Sequence, residues 1–133
     1  MNSKSLQSQA DGIPFFKFLN LEVVSTTDKA TTCIMPATQR LIGNSYLGNI
    51  HGGIIASCME ATASLAVFDR PRKGAPKPIN LTVNYLRPAK MNPLHCRAKV
   101  IRAGRRIAFV ETIAWQVDED TPVAKGQFQF LLI

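Results

Sequence analysis

The segment that most constrains this fold is a long apolar stretch that contains a single charged residue. From Gly52 to Phe68 the side chains are almost all apolar or small, and Glu60 alone carries a charge. A stretch of this length and composition predicts a helix that is covered on most of its sides. Because burying an unpaired carboxylate is costly or shifts its pKa, Glu60 indicates a functional site. The alternative is a structural hydrogen bond or ion pair inside the core.

The start of this helix carries the second candidate feature, the step His51-Gly52-Gly53. Two glycines allow a ligand to approach the backbone closely, where a helix start presents free N–H groups. A helix start that polarises a carbonyl, together with one acid, is typical of an acyl-transfer site; the alternative is a close-packed turn. Ser64 lies four residues after Glu60 and shares its helix face, where it would hold water or simply pack.

Length and composition limit the class of protein. A chain of 133 residues with 46% hydrophobic and 19% charged residues is typical of one globular domain. We assign residues 12–133 to that domain, and residues 1–11, which are polar and lack a signal-peptide core, to a flexible tail. No apolar run reaches the roughly 20 residues that span a bilayer, so we expect a cytoplasmic protein without a membrane partner.

The cysteines Cys33, Cys58 and Cys96 are widely spaced and odd in number, which is neither a disulfide framework nor a zinc-binding spacing. Each lies in an apolar pattern, so core packing is their expected role. Because the chain has two histidines and scattered cysteines, no metal site is expected.

The net positive charge of the chain indicates which class of partner it could bind. A net charge of +7 and a pI near 9.7 favour an anionic partner, either a phosphorylated cofactor group or nucleic acid. Stacking platforms for single strands are not evident, so we expect no nucleic-acid partner, and a solvated basic surface is the remaining alternative. The cations cluster at Arg70, Arg72 and Lys73 with Lys77, at Arg87 and Lys90, and at Arg97, Lys99, Arg102, Arg105 and Arg106.

Apolar periodicity and turn residues predict the other elements. A short helix is expected over residues 11–19, the long helix over 52–69, and strands over 21–26, 30–36, 79–86, 94–102, 107–117 and 123–133. The length of the last two strands favours a strongly curved sheet, and the apolar helix is the element large enough to fill it. The fold class is therefore α+β, one long antiparallel sheet curled around one central helix.

This order of elements resembles the hotdog-fold acyl-CoA thioesterases. The resemblance includes the step His51-Gly52-Gly53 that opens the helix and the acid nine residues after the histidine. The similarity is greatest to the PaaI-like group and to the 4-hydroxybenzoyl-CoA thioesterases that carry a glutamate. Residues 80–88 and 102–111 resemble the strand after the connector and the strand-turn-strand near CoA in that family. The resemblance implies a hotdog fold and hydrolysis of an acyl-CoA thioester to free acid and CoA.

The resemblance also implies a catalytic role for several residues. Glu60 would be the general base or the nucleophile, and the Gly52 N–H would polarise the thioester carbonyl. Ser64 matches a hydroxyl position of the family. His51 is either a further catalytic residue or the residue that orients the start of the helix. Gly53 would lie against the substrate.

The binding of CoA is implied by the same resemblance. The family carries an amide six residues before the histidine; that position is Ser45 here, and the neighbouring Asn44 fills the role if the loop has one extra residue. Exposed guanidinium groups suit the nucleotide and pyrophosphate. The candidates are Arg87, Arg102, Arg105 and Arg106. CoA is part of the substrate, so no cofactor is expected.

Helix geometry bears on assembly. Nine residues separate His51 from Glu60, which places them on opposite sides of the helix and roughly 13 Å apart along its axis. One helix therefore cannot form a His–Glu pair, whereas two antiparallel helices can bring Glu60 of one subunit near Gly52 of the other. The family forms such composite sites in a twofold dimer, so the resemblance implies a homodimer, and plausibly a dimer of dimers.

Three alternatives stay open. A non-catalytic acyl-CoA-binding hotdog module would tolerate loss of Glu60. A hotdog dehydratase would need a longer His-Phe-Pro-Gly-type loop, which the step at His51 does not resemble. A nucleic-acid-binding protein rests on charge alone, and its binding would weaken steeply with salt.

Overall fold

The computed structural model describes residues 2–44, 46–68 and 75–132, with the side chain of Asn44 outside that description. The predicted candidates Ser45, Arg70, Arg72 and Lys73 therefore lie outside the described residues. The elements are α1 (Ser3–Asp11), α2 (Pro14–Phe18), β1 (Glu22–Thr26), β2 (Thr31–Met35), a 3-10 helix (Gln39–Leu41), β3 (Ile42–Asn44), β4 (Asn49–Ile50), α3 (Gly52–Phe68), β5 (Lys77–Tyr85), β6 (Leu94–Ala103), β7 (Ile107–Trp115) and β8 (Ala124–Leu131).

Strands β1, β2, β6, β7, β8 and β5 form one antiparallel sheet in that order. Helix α3 packs against this sheet, in contact with β2, β5, β6, β7 and β8, and most of its side chains from Ile55 to Val67 are buried. The predicted α+β architecture, a long antiparallel sheet around one central helix, is confirmed, and it is the hotdog fold.

Small residues line the face of the sheet that meets α3. Side chains alternate between the two faces of a strand, so one face of β6, β7 and β8 turns towards the helix. The small buried residues of this face let the helix lie close to the strands. They are Cys96, Ala98, Ala108, Ala114, Ala124 and Gly126.

The three cysteines meet at the contact between α3 and the sheet. Cys33 and Cys96 are paired across β2 and β6, and Cys58 Sγ lies 3.1 Å from Cys96 Sγ. All three are buried free thiols, so their predicted place in the core is confirmed. Burial raises the pKa of the Cys33 thiol to about 12. The Cys33 thiol therefore stays protonated at neutral pH and is a poor nucleophile.

The prediction of a flexible tail for residues 1–11 is wrong, because α1 runs from Ser3 to Asp11. The Asn2 side chain caps this helix by accepting a hydrogen bond from the Ser5 N–H at 2.8 Å. Leu6 and Ala10 are buried against the domain. Two apolar residues at a spacing of four are a weak sequence signal, and the tertiary contact stabilises the helix.

A polar side chain of α1 ties this helix to the edge strand β1. The Gln7 carboxamide donates to the Leu21 carbonyl at 3.0 Å and accepts from the Val23 N–H at 2.6 Å. It thereby takes up backbone groups on the outer edge of β1 that would otherwise be open to another strand. The predicted short helix over residues 11–19 corresponds to the end of α1 followed by α2, which begins at Pro14.

The opposite edge of the sheet, β5, is open. Every residue of this strand except Val83 is exposed, and the exposed side chains include the apolar Ile79, Leu81 and Tyr85.

Over the described residues, no helix combines the length and the apolar composition needed to cross a membrane.

Candidate active site

The start of α3 presents one backbone N–H that has no acceptor among the described residues, that of Gly52. The peptide group that carries it is fixed on its other side, because the His51 carbonyl accepts from Ile54 at 2.9 Å and from Ile55 at 3.1 Å. The preceding His51 N–H donates to the Leu41 carbonyl at 2.8 Å. The Gly52 N–H is therefore a free donor at the positive end of the helix dipole.

The His51 side chain caps the helix. Its Nδ1 accepts a hydrogen bond from the Gly53 N–H at 2.9 Å. The imidazole is closely surrounded, since a Cβ on Gly53 would lie 3.0 Å from Nδ1 and a Cβ on Gly43 would lie 3.2 Å from Cδ2 of the ring. Of the two predicted roles for His51, the geometry favours orientation of the helix start.

Glu60 lies on the partly exposed stripe of α3 that also carries Ser57 and Ser64. Desolvation by burial raises the pKa of its carboxyl group, and no hydrogen bond or ion pair to this carboxylate is formed by the described residues. The hydroxyl of Ser64 donates to the Ala61 carbonyl at 2.8 Å, so its oxygen keeps only acceptor capacity towards a ligand or water. A partly buried, unpaired acid with a raised pKa is suited to proton transfer near neutral pH.

A cavity of about 360 Å³ opens beside Gly52 and is also lined by Asn49, Tyr85 and Arg87. The Tyr85 phenol donates to the Gly52 carbonyl at 2.7 Å. The Lys90 ammonium donates to the Asn49 side-chain oxygen at 3.5 Å. The structure thus adds Tyr85 and Asn49 to the candidates. Tyr85 lies inside the strand predicted over residues 79–86, and Asn49 lies just before the predicted helix, so neither position carries a sequence signal for the site.

The segment that precedes α3 contains regular structure, namely the 3-10 helix over Gln39–Leu41 and the antiparallel pair of β3 and β4. Asn44 ends β3, and its role as the loop amide stays a prediction. Asn49 Nδ2 is a second candidate amide, since Asn49 lines the cavity while Lys90 engages its oxygen.

Three of the predicted CoA-binding arginines lie together. Arg102, Arg105 and Arg106 line a cavity of about 460 Å³ at the turn between β6 and β7, which we call the arginine turn. Arg87 lies elsewhere, at the end of β5, and donates to the Pro122 carbonyl at 2.8 Å.

The arginine turn and the Gly52 cavity lie at opposite ends of β5 within one chain. The turn adjoins Leu131, the last residue of β8, and Leu132, which follows it, and Leu131 pairs with Lys77 at the start of β5. Tyr85 and Gly52 are at the other end, and a strand of nine residues is roughly 26 Å long. One chain therefore does not place its arginine turn at its own Gly52.

No cluster of three or more His, Cys, Asp or Glu side chains that could hold a metal ion occurs in the described part of the chain.

Residues 47–123 match the thioesterase superfamily, a span that includes the Gly52 cavity, Glu60 and the arginine turn. The chain belongs to the thioesterase superfamily. The predicted family resemblance is thereby confirmed at the level of the superfamily.

Several named proteins are similar to this superfamily member. A Halobacterium salinarum protein with a provisional esterase name is 33% identical, and the match covers 94% of this chain and 88% of that protein. The medium/long-chain acyl-CoA thioesterase YigI of Salmonella typhimurium is 26% identical over 72% of this chain and 71% of its own length. The crystal structure of thioesterase superfamily member 2 from Mus musculus has a TM-score of 0.84 at 19% identity, covers 98% of this chain and 97% of its own, and shows the shared fold alone.

Proposed function

We propose that the protein hydrolyses acyl-CoA thioesters to a free acid and CoA. The observation that carries the proposal is that one helix presents two groups suited to this reaction. They are the Gly52 N–H, which has no acceptor, and the partly buried Glu60 carboxylate, which has no partner among the described residues. The superfamily and the similarity to a named acyl-CoA thioesterase support the same reaction class.

In this mechanism the Gly52 N–H donates to the thioester carbonyl oxygen and stabilises the negative charge that develops there, with help from the helix dipole. Glu60 acts either as a general base that deprotonates a water molecule or as a nucleophile that forms a mixed anhydride. In the first route the water oxygen bonds to the carbonyl carbon while Glu60 takes the proton of the water, and in the second route a Glu60 carboxylate oxygen forms that bond. The bond between the carbonyl carbon and sulfur then breaks, and the CoA thiolate leaves. In the second route a water molecule subsequently hydrolyses the anhydride, which releases the free acid and restores the Glu60 carboxylate. Desolvation keeps the pKa of Glu60 raised, which makes it a stronger base than an exposed carboxylate.

The site is proposed to form between two chains. Eight residues separate Gly52 from Glu60, so they lie about 12 Å apart along α3, too far for both to act on one carbonyl. The open edge of β5 offers a surface for antiparallel pairing with a second copy, which would double the sheet. Twofold pairing places the Gly52 end of one chain beside the arginine turn of the partner subunit. A homodimer is the minimal active unit in this proposal, and two such dimers form the larger assembly.

The arginine turn is proposed to bind the nucleotide end of CoA. Three guanidinium groups around one cavity suit a polyanion, since they offer charge and several donors at once. Across the proposed dimer this cavity lies near the partner's Gly52, whereas within one chain it does not.

Thiol release from a panel of acyl-CoA esters with short, long and aromatic acyl groups tests this function. We expect the wild type to release thiol and Glu60→Gln to lose roughly 10²- to 10⁴-fold in kcat with little change in KM. Glu111→Gln, on the exposed face of β7, is the matched control and should keep wild-type activity. Full turnover by Glu60→Gln would contradict the mechanism, and CoA-ester binding without turnover by the wild type would favour the non-catalytic binding module.

A further inference from the structure

We propose that Tyr85 is a positioning residue that holds the first turn of α3, and with it the Gly52 N–H, in the geometry that binds a carbonyl oxygen. This inference rests on the proposed hydrolysis. Tyr85 is the last residue of β5, and its phenol donates to the Gly52 carbonyl at 2.7 Å across a separation of 33 residues.

The first turn needs such a contact because it contains two consecutive glycines. Glycine has the largest backbone freedom of all residues, so the orientation of these peptide groups is weakly set by local sterics. The peptide group between Gly52 and Gly53 is bound on both sides, its N–H by His51 Nδ1 and its carbonyl by Tyr85. His51 belongs to the same segment as the glycines, whereas Tyr85 anchors them to a strand of the sheet.

The ring of Tyr85 also forms part of the cavity. A Cβ placed on Gly52 would lie 3.4 Å from Cε1 and Cζ of the ring, so the ring covers this glycine at contact distance. Tyr85 thereby defines one wall beside the free N–H and fixes the backbone next to it.

The Tyr85 hydroxyl is not so buried that it must find an acceptor within the protein, so burial alone does not explain its hydrogen bond to the Gly52 carbonyl. Tyr85 is 52% exposed, so water can satisfy its hydroxyl when the bond to Gly52 is absent. An exposed hydrogen bond adds little to the free energy of unfolding. Loss of the hydroxyl should therefore alter the orientation of the Gly52 backbone much more than the stability of the fold.

The test is Tyr85→Phe, which keeps the ring and removes the donor. We expect kcat for an acyl-CoA that the wild type hydrolyses to fall about tenfold, with KM and melting temperature nearly unchanged, because the proposed role is in the transition state. Thr82→Val removes a hydroxyl from the outward face of the same strand and should match the wild type. Wild-type kcat in Tyr85→Phe, or an equal loss in Thr82→Val, would overturn the proposal.

A second measurement is independent of activity. Amide hydrogen exchange, followed by NMR on 15N-labelled protein, reports directly on the Gly53 N–H that His51 binds. We expect at least about fivefold faster exchange at Gly53 in Tyr85→Phe than in the wild type, with Cys58 and Thr62 unchanged. If the wild type hydrolyses no acyl-CoA, the proposed function fails, yet this comparison still decides the role of Tyr85. Unchanged exchange at Gly53 would overturn it.

Discussion

Replacing Gly126 by alanine should destabilise the fold through a clash at the β5 edge. A Cβ at this buried position of β8 would lie 2.7 Å from the Thr82 carbonyl oxygen, well inside the 3.4 Å at which ordinary contact begins. It would also lie 3.0 Å from Phe128 Cε2 and 3.2 Å from Met59 Cε. Met59 is flexible and can move, but the Thr82 oxygen is backbone, so β5 itself must shift.

The expected cost follows from these contacts. Overpacking typically destabilises by about 1–3 kcal/mol, and a backbone clash belongs at the upper end, about 2–3 kcal/mol. Glycine to alanine also restricts the unfolded chain, which offsets about 0.5–1 kcal/mol. The net loss for Gly126→Ala is therefore about 2 kcal/mol in the free energy of unfolding, or roughly 6 °C in melting temperature for a chain of this size.

Urea unfolding followed by tryptophan fluorescence measures this loss, and Gly104→Ala is the matched control. A Cβ on Gly104 would contact the Ile107 carbonyl at 3.4 Å and nothing closer. The same chemical change should therefore leave stability unchanged or raise it by about 0.4–1 kcal/mol. If Gly126→Ala proved as stable as Gly104→Ala, the packing of β5 against Gly126 described above would be wrong.

Four further outcomes are expected. Burial raises the pKa of Glu60 above its ordinary 4.5, so the charged form destabilises the fold. Glu60→Gln should nearly match the wild type in urea unfolding at pH 4, exceed it increasingly as the pH rises above 4.5, and keep a constant advantage above the folded-state pKa. Gly53→Ala should displace the His51 imidazole, 3.0 Å from the new Cβ, and lower kcat in the thiol assay while circular dichroism shows the fold retained. Leu6→Ala should cost about 2–5 kcal/mol in urea unfolding, because Leu6 is fully buried. Arg102→Ala should raise KM for acyl-CoA more than for a pantetheine thioester; equal effects would remove it from the CoA site.

Strong periodic patterns allowed much of the fold to be predicted. The composition of residues 52–68 predicted α3, because a helix that is apolar on most of its sides must be covered by the rest of the domain, and the period-two alternation along 79–86 predicted β5. Helix α1 was missed because Leu6 and Ala10 show their role only against the rest of the domain.

The residues of the candidate site were likewise predicted only where a local sequence pattern marks them. Gly52 and Glu60 were visible as local departures from an apolar pattern, and their catalytic roles remain predictions. Tyr85 was not visible, because its contact with Gly52 depends on how β5 lies beside α3. The separation of Arg87 from the arginine turn likewise depends on the strand order of the sheet, which the spacing of arginines along the chain does not encode.

The unequal edges of the sheet bear on fibre growth. A sheet with two open edges can add strands from both sides without limit, which is the route to cross-β aggregates. Here Gln7 binds the Leu21 carbonyl and the Val23 N–H at the β1 edge, whereas β5 forms the other edge of the sheet. In the proposed homodimer, β5 pairs with its own copy, so the joined sheet would end in a β1 strand on each side, and Gln7 would cover part of each edge. In that dimer, replacing Gln7 by alanine would uncover these two backbone groups and should favour strand addition at the outer edges.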